Sequence, residues 1–284
     1  MTSKISNDLN NEDFSGIDIK QIRNSPQKKY YRDQINLSVN NKVVIDLGAG
    51  SGILSFMCIL AGAKKVFAIE KNKIVCMMLK KSINTLGWQD KIVVLNKDFI
   101  FDDISEYLES AEVCVSEIIN NSFTNNIAPY MLHNIKEKYQ HLKIVPEIFN
   151  YQVKVIENTY LSDYINWGYD PNLNKLFDDI YLDFTIYRPL KLFESYPEHK
   201  HKTITTTNAI EYNFKSNTVT DNIVHLPKDK TNKWLEINWH FDGQIYSDYW
   251  QREFIPLSIN RFEKVNSISL IPHDYVHKIK INAS

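Results

Sequence analysis

Two kinds of apolar pattern alternate along the first half of the chain. Residues 53–61 and 74–83 repeat apolar side chains at the spacing of a helix, and Gly62 and Gly87 follow them where a cap residue ends a helix. Short apolar runs between these segments indicate buried strands at residues 43–45, 66–69, 92–95 and 113–116. Strands that alternate with helices predict an α/β fold with a doubly wound parallel sheet.

The pattern changes near Pro146. Beyond it, aromatic and β-branched residues alternate with polar ones in short runs, as at 203–209, 234–241 and 250–257. Turn residues separate the runs, which is typical of an antiparallel sandwich or barrel. We therefore predict three parts: an N-terminal arm at residues 1–25, a parallel-sheet domain at 26–146 and a β-barrel-like domain at 147–284. Residues 160–177 interrupt the β pattern with a helix-like spacing.

A glycine-rich turn lies between the first predicted strand and the first predicted helix. Asp46 closes the strand, Gly48, Gly50 and Gly52 form the turn, and Glu70 ends the next strand. Glycines let a backbone approach a ligand closely, a helix N-terminus presents unpaired N–H groups, and Glu70 can accept both hydroxyls of a ribose. The pattern predicts a nucleotide-like ligand, but a nicotinamide cofactor requires a further glycine where this chain has Ile53.

Acidic residues follow or end four predicted strands. Asp46, Glu70, Asp98 and Glu117 fall at the carboxyl ends of successive strands. Ligands of doubly wound sheets bind at this edge, so we expect the four side chains to converge on one site.

Composition excludes several classes of function. The 33 basic and 34 acidic residues give a formal net charge of −1, which argues against binding nucleic acid by bulk electrostatics. The apolar runs are too short to cross a membrane, so we predict a cytoplasmic protein with no membrane partner. The three cysteines lie in apolar patterns and are predicted to be reduced core thiols, and no metal site is predicted.

The strand–turn–helix–strand unit resembles motif I of the class I S-adenosylmethionine-dependent methyltransferases. Within that group, four short motifs resemble those of the protein arginine methyltransferases. They are G-x-G-x-G-I-L, A-G-A, Ser116-Glu117 and, before the β-rich half, Ile144-Val145-Pro146. The resemblance implies S-adenosyl-L-methionine as cofactor and a substrate cleft between the two domains. It also allows a homodimer formed by a helical arm, and residues 160–177 fit either such an arm or a capping loop. Cofactor contacts are expected from Asp46, Gly48, Gly50, Gly52, Ile53, Leu54, Glu70, Lys71, Asp98, Phe99 and Glu117.

Departures from the family pattern concern the substrate. The family's second glutamate is replaced by Asn126, its Thr-His-Trp loop corresponds to Tyr249-Trp250-Gln251, and an expected carboxylate-binding arginine is replaced by Gln27. We expect catalysis by Glu117, Tyr249 and Trp250 and substrate contacts from Asn120, Asn121 and Asn126.

Because one acid can hold a small amine or guanidine, the sequence favours N-methylation of a small metabolite, an amino acid or a dedicated peptide. Two alternatives stay open: a protein arginine N-methyltransferase and a cofactor-binding pseudoenzyme or scaffold.

Overall fold

A computed structural model describes residues 26–118, 128–157, 190–191, 201–241, 244–245, 253–257, 265–273 and 276–282. The chain divides into two compact units, one drawn from Met1–Glu117 and His141–Val145, the other from Ile118–Gln140 and Pro146–Ser284. The domain limits 26–146 and 147–284 stay a prediction.

The first unit alternates helices and strands. Its elements are α1 (Pro26–Ser38), β1 (Val43–Leu47), α2 (Ile53–Leu60), β2 (Lys65–Glu70), α3 (Lys73–Leu86), β3 (Ile92–Asn96), α4 (Ser105–Ser110), β4 (Val113–Ser116) and, after helix α5 (Ala128–Lys138) of the second unit, β5 (Lys143–Val145). The strands form one parallel sheet in the order β3-β2-β1-β4-β5. This order places β1 at the centre, with β2 and β4 on its two sides.

Local sequence signals set the ends of the first-unit helices. Asn72 caps α3, its side chain accepting hydrogen bonds from the backbone N–H groups of Ile74 and Val75. Gly87 ends the same helix at φ 69°, and Gly62 follows α2 at φ 88°. Both glycines therefore lie in the left-handed region predicted for helix ends.

The second unit is antiparallel. Its strands are β6 (Ile148–Glu157), β7 (Leu190–Lys191), β8 (Lys202–Asn213), β9 (Thr218–Asp221), β10 (Val224–His225), β11 (Lys233–Phe241), β12 (Gln244–Ile245), β13 (Glu253–Pro256), β14 (Ser267–His273) and β15 (Val276–Asn282). One sheet runs β7-β13-β11-β6-β8-β9, with β12 paired to β11, and a second runs β10-β14-β15.

The two faces of β6 and β11 differ in chemistry. One face packs aromatic rings, with the centroids of Phe149 and Phe241 5.6 Å apart and those of Trp239 and Phe241 5.2 Å apart. The other carries a polar ladder, defined by three cross-strand pairs: Lys154 opposite Glu236, Gln152 opposite Asn238 and Asn150 opposite His240. Every residue of β11 is buried, the polar ones included.

These observations confirm the predicted fold class, a doubly wound parallel sheet followed by an antiparallel β-barrel domain. Cys58, Cys76 and Cys114 are buried free thiols, as expected from their apolar surroundings. Among the described residues, no helix is both long and apolar enough to span a membrane. The segment 160–177 lies outside the described residues.

Candidate functional site

The glycine turn connects β1 to α2 in a backbone conformation that favours glycine. Gly48, Gly50 and Gly52 all have positive φ angles, of 73°, 51° and 84°. A Cβ at Gly52 would collide with the side chain of Leu79, whereas a Cβ at Gly50 would meet only the Gly48 carbonyl oxygen, 3.9 Å away. The requirement at Gly52 is thus internal packing, while Gly50 leaves its backbone open to approach.

Glu70 is bonded directly to the turn. Its Oε2 accepts a hydrogen bond from the Gly50 N–H at 2.9 Å, and its Oε1 accepts one from the Asn72 N–H at 2.7 Å. Each carboxylate oxygen has a second acceptor position. The carboxylate is therefore fixed in place and can still accept hydrogen bonds from a ligand.

Asp46 lies beneath the turn near the end of β1. Its side chain is 1% exposed and accepts a hydrogen bond from Ser55 Oγ at 2.6 Å. Burial raises the pKa of Asp46 to about 7, the Ser55 side-chain and backbone hydrogen bonds oppose that shift, and the negative charge of Glu70 adds to it. Asp46 is thus a buried carboxyl that changes charge near neutral pH.

Glu117 follows β4 directly. Its side chain is exposed at the surface, yet the surrounding protein removes water from the carboxyl and raises its pKa to about 7, with the charge of Asp46 as the second cause. The exposure and the raised pKa are consistent with a carboxyl that is surrounded by protein on most sides and reaches solvent on one side. Such a group exchanges protons near neutral pH and can reach a ligand.

The segment after β3 contains two of the expected cofactor contacts. Asp98 and Phe99 are both half-buried. Oδ1 of Asp98 accepts a hydrogen bond from the Ile100 N–H at 3.0 Å, and the Asp98 N–H donates to Asp102 Oδ2 at 2.7 Å. Asp98 therefore shapes its own turn.

Three further predicted cofactor residues flank the turn. Ile53 begins α2 half-buried, Leu54 is buried against the core, and Lys71 is exposed just beyond Glu70. The predicted substrate and loop residues Asn120, Asn121, Asn126, Tyr249 and Trp250 lie outside the described residues.

The structure adds three residues that the sequence predictions missed. Ser55 donates to Asp46, Asn72 holds Glu70 through its N–H, and the Tyr31 hydroxyl on α1 donates to the Ser116 carbonyl oxygen at 2.7 Å. Ser55 is a polar residue within an otherwise apolar helix, and Asn72 has the residue type and position of a helix cap. Those two signals were visible in the sequence, whereas nothing local connects Tyr31 to a strand 85 residues away.

The sheet order brings the predicted acids to one edge. Along it stand Asp98 after β3, Glu70 at the end of β2, Asp46 near the end of β1 and Glu117 after β4. Burial, with a smaller contribution from charge repulsion, raises the pKa of Asp46 and of Glu117. An edge of this kind favours a ligand that carries positive charge and offers hydroxyl donors.

Comparison with sequence families finds a likeness over the part of the chain that contains this site. Residues 19–145 match the family model "PRMT5 arginine-N-methyltransferase". Among curated proteins, a "Probable protein arginine N-methyltransferase 6" of Arabidopsis thaliana is 34% identical over 105 residues, which are 36% of this chain and 23% of that protein. The "Ribosomal protein arginine N-methyltransferase rmt3" of Schizosaccharomyces pombe is 30% identical over 118 residues, 40% of this chain and 21% of that protein. The matches thus span about a quarter of these relatives.

Solved structures extend the likeness in fold to most of the chain. A crystal structure of PRMT6 superposes with a TM-score of 0.58 and 18% identity, covering 92% of this chain and 96% of that one. The "Trypanosoma brucei PRMT1 enzyme-prozyme heterotetrameric complex with AdoHcy" gives a TM-score of 0.60 and 14% identity, with 91% and 90% covered. The predicted resemblance to the protein arginine methyltransferases, within the class I methyltransferase fold, is confirmed.

Proposed function

We propose that this chain binds S-adenosylmethionine at the carboxyl edge of the parallel sheet and transfers its methyl group to a nitrogen. The observation that carries the proposal is the 2.9 Å hydrogen bond from the Gly50 N–H to Glu70. It holds a ribose-binding acid against a glycine turn, and the two features had been expected in one site from sequence alone.

The residues present fit this cofactor. Glu70 has acceptor positions left for a ribose diol, and the open space at Gly50 lets a ligand approach the backbone. Phe99 is half-buried in the segment after β3 and is proposed to pack on the adenine. The negative charge of Asp46 and Glu117 suits a sulfonium, whose positive charge is lost when the methyl leaves.

Bound S-adenosylmethionine supplies an electrophilic methyl group attached to sulfur. A substrate nitrogen would attack with its lone pair, so that an N–C bond forms while the S–C bond breaks to leave a neutral thioether, and the proton from the nitrogen would be released to water. Glu117 in its ionised form accepts hydrogen bonds from that nitrogen's N–H groups and orients the lone pair. Since burial places the pKa of Glu117 at about 7, turnover should rise with pH through neutrality.

The comparisons favour an arginine side chain of a protein as the acceptor. The relatives matched by residues 19–145 are named as arginine methyltransferases, and none of those described above is named for a small metabolite. Our sequence-based preference for a small metabolite therefore has no support beyond the missing second acid. We adopt the former alternative, protein arginine N-methylation, as the proposed substrate class.

A second candidate function is a cofactor-binding partner without turnover of its own. The replacement of the second glutamate by Asn126 favours it, because an amide exchanges a charge-assisted hydrogen bond of about 1.5–3 kcal/mol for a neutral one of about 1 kcal/mol. The solved enzyme–prozyme complex provides a precedent for assembly among proteins of this fold. Assembly of this chain, as a homodimer or with a relative, is proposed and can be measured by light scattering.

Cofactor binding is tested by calorimetry with S-adenosylmethionine and its demethylated product. Loss of the carboxylate in Glu70→Gln should weaken binding by about 10-fold or more, since two charge-assisted acceptor positions become neutral. Glu109→Gln, at an exposed position of α4, is the matched control and should bind as the wild type does. Equal affinity in the two variants would refute the assignment of Glu70.

Transfer is tested with labelled cofactor, an arginine-rich peptide and a mixture of free amines and amino acids. We expect label in methylarginine, a loss of at least 100-fold in Glu117→Gln with cofactor affinity retained, and a gain in Asn126→Glu. Label only in small amines would restore the metabolite hypothesis. Cofactor binding without transfer by the wild type, with activity appearing in Asn126→Glu, would establish the partner role.

A further inference from the structure

We propose that Ser55 is a positioning residue that, through Asp46, sets the charge state of Glu117 during methyl transfer. The inference rests on the proposed function for its catalytic consequence. The interaction of Ser55, Asp46 and Glu117 lies within the first unit, and its effect on the titration of Glu117 can be measured without any methyl acceptor.

The contact between Ser55 and Asp46 is short and fully enclosed. Ser55 is 0% exposed, although its neighbours along α2 are apolar, and its Oγ lies 2.6 Å from Asp46 Oδ2. Burial of a hydroxyl costs folding free energy unless the hydroxyl makes a hydrogen bond. The hydrogen bond fixes both the direction of the Asp46 carboxyl and the start of α2 beneath the glycine turn.

The geometry of the sheet connects Asp46 to Glu117. Asp46 stands opposite Val115 in the parallel pairing of β1 with β4, and side chains alternate between the faces of a sheet. Glu117 follows the end of β4, two residues beyond Val115, and the negative charge of Asp46 acts on its carboxyl. With strands about 4.8 Å apart and about 6.6 Å between residues i and i+2, the two side chains begin roughly 8 Å apart.

The other titratable groups that interact electrostatically with Asp46 do not stabilise its ionised form. Cys58 on α2 and Cys114 on β4 are thiols whose pKa values are raised by burial, so they stay neutral. Glu70 and Glu117 add negative charge. Of the described groups that act on Asp46, Ser55 is the one that favours the carboxylate.

The sign of the effect follows from these contacts. Without the Ser55 hydroxyl, Asp46 holds its proton to higher pH and carries less negative charge at neutrality. Glu117 then experiences less repulsion and loses its proton at a lower pH. Ser55→Ala should therefore lower the pKa of Glu117 by about half a unit, as expected for a partly removed like charge at this distance.

The test follows the side-chain carboxyl carbons of glutamate by ¹³C NMR across pH 4.5–8.5 in the full chain. The signal of Glu117 is assigned by its absence in Glu117→Gln. We expect its titration midpoint to move down in Ser55→Ala and by a smaller step in Ser55→Cys, which keeps the size but has a weaker donor. Ser82→Ala removes an exposed hydroxyl on α3 that donates to the Met78 carbonyl oxygen, and it should leave the midpoint unchanged.

A merely structural role would lower thermal stability in Ser55→Ala without moving the midpoint, and that result would overturn the proposal. Ser55→Cys gives the same readout if the alanine variant does not fold. The acid limb of the turnover–pH profile should shift with the NMR midpoint. If the wild type transfers no methyl group, the proposed function fails while the NMR result still decides the relation between Ser55 and Glu117.

Discussion

Each unit contains a fully buried carboxyl group, and the two are supported in different ways. Asp46, at the edge of the parallel sheet, has a hydroxyl donor and neutral thiols around it. Glu236, in the middle of β11, accepts a hydrogen bond from Asn238 Nδ2 at 2.8 Å and lies 3.8 Å from both Lys154 Nζ and His201 Nε2. The first acid is buried beside other acids, and the second is buried among donors and cations.

The difference separates a group placed for chemistry from a group placed for structure. A buried acid without a cation carries an unrelieved desolvation cost, which appears as a raised pKa and a readiness to exchange protons. A buried acid whose oxygens contact a lysine, a histidine and an amide donor is held in place by polar contacts that are part of the packing. The same functional group, a side-chain carboxyl, thus has a reactive setting in one unit and a structural setting in the other.

Removing the second-unit acid should have the largest effect. Glu236→Ala leaves Lys154 and His201 facing a buried space without their carboxylate, which typically costs about 3–5 kcal/mol. Urea unfolding followed by the fluorescence of Trp234 and Trp239, both on β11, measures the change in the second unit.

Glu157→Gln is the control, because Glu157 is 44% exposed where it approaches Lys233. Exposed pairs contribute at most about 1 kcal/mol, so this variant should unfold close to the wild type. A loss below about 1 kcal/mol in Glu236→Ala would show that the second-unit acid is not structural.

Asp46 should make the free energy of unfolding depend on pH. The pKa of Asp46 is raised to about 7 in the folded state, above about 3.9 in an unfolded chain, so the folded state binds the extra proton between those values. The free energy of unfolding should therefore fall as pH rises from 4.5 to 7.5, and Asp46→Asn should remove on the order of 3 kcal/mol of that decline.

Paired urea titrations of wild type and Asp46→Asn at four pH values measure this difference. Glu112→Gln, at an exposed position before β4, serves as the control and should retain the wild-type slope. Parallel curves for wild type and Asp46→Asn would mean that Asp46 keeps its charge in both states.

Two glycines of the first unit share a positive φ angle but differ in the space around them. Gly52→Ala combines a φ of 84° with a collision against Leu79 and should cost about 2–3 kcal/mol. Gly87→Ala has a similar φ of 69° but meets nothing within 4 Å, so about 1 kcal/mol is expected. Thermal unfolding of both variants isolates the collision, and equal losses would assign the whole effect to the backbone angle.

The smallest effect is expected at the cap that adjoins Glu70. Asn72→Ala removes two side-chain hydrogen bonds at the start of α3 and should cost about 1 kcal/mol. Thr85→Ala, which removes an exposed hydroxyl bonded to the Lys81 carbonyl oxygen later in α3, should change stability by less than about 0.5 kcal/mol. Chemical unfolding of the two variants gives the comparison, and a cap effect no larger than the control would contradict it.

Local signals made the first unit predictable. The strand predicted at 113–116 is β4, Val113–Ser116, and the helix predicted at 74–83 lies inside α3 and ends before Gly87 as expected. Apolar runs, caps and glycines fix these elements because each depends on neighbours within a few residues. The acids at the strand ends followed from the same periodicity.

Long-range contacts were not predictable in this way. Alternation in β11 separates Leu235 and Ile237 from Glu236 and Asn238, which suggests a polar face in water, yet the structure buries both faces. The period of a strand shows which residues share a face but not whether that face is covered. The placement of β11 between β13 and β6, like the Tyr31–Ser116 bond, depends on chain segments distant in sequence.

The polar ladder has a consequence for how the second unit folds. A slip of β11 against β6 by one residue would turn Glu236 into the aromatic face, so hydrophobicity alone rejects it. A slip by two residues would keep each side chain on its native face of the sheet, so hydrophobic packing alone would not exclude it. That slip would set Glu236 opposite Gln152 and would leave Lys154 opposite another residue. The Lys154–Glu236 ion pair and the Lys233–Glu157 pair at the end of the strands therefore distinguish registers that the apolar residues treat as equivalent, and they favour the native alignment of β6 with β11.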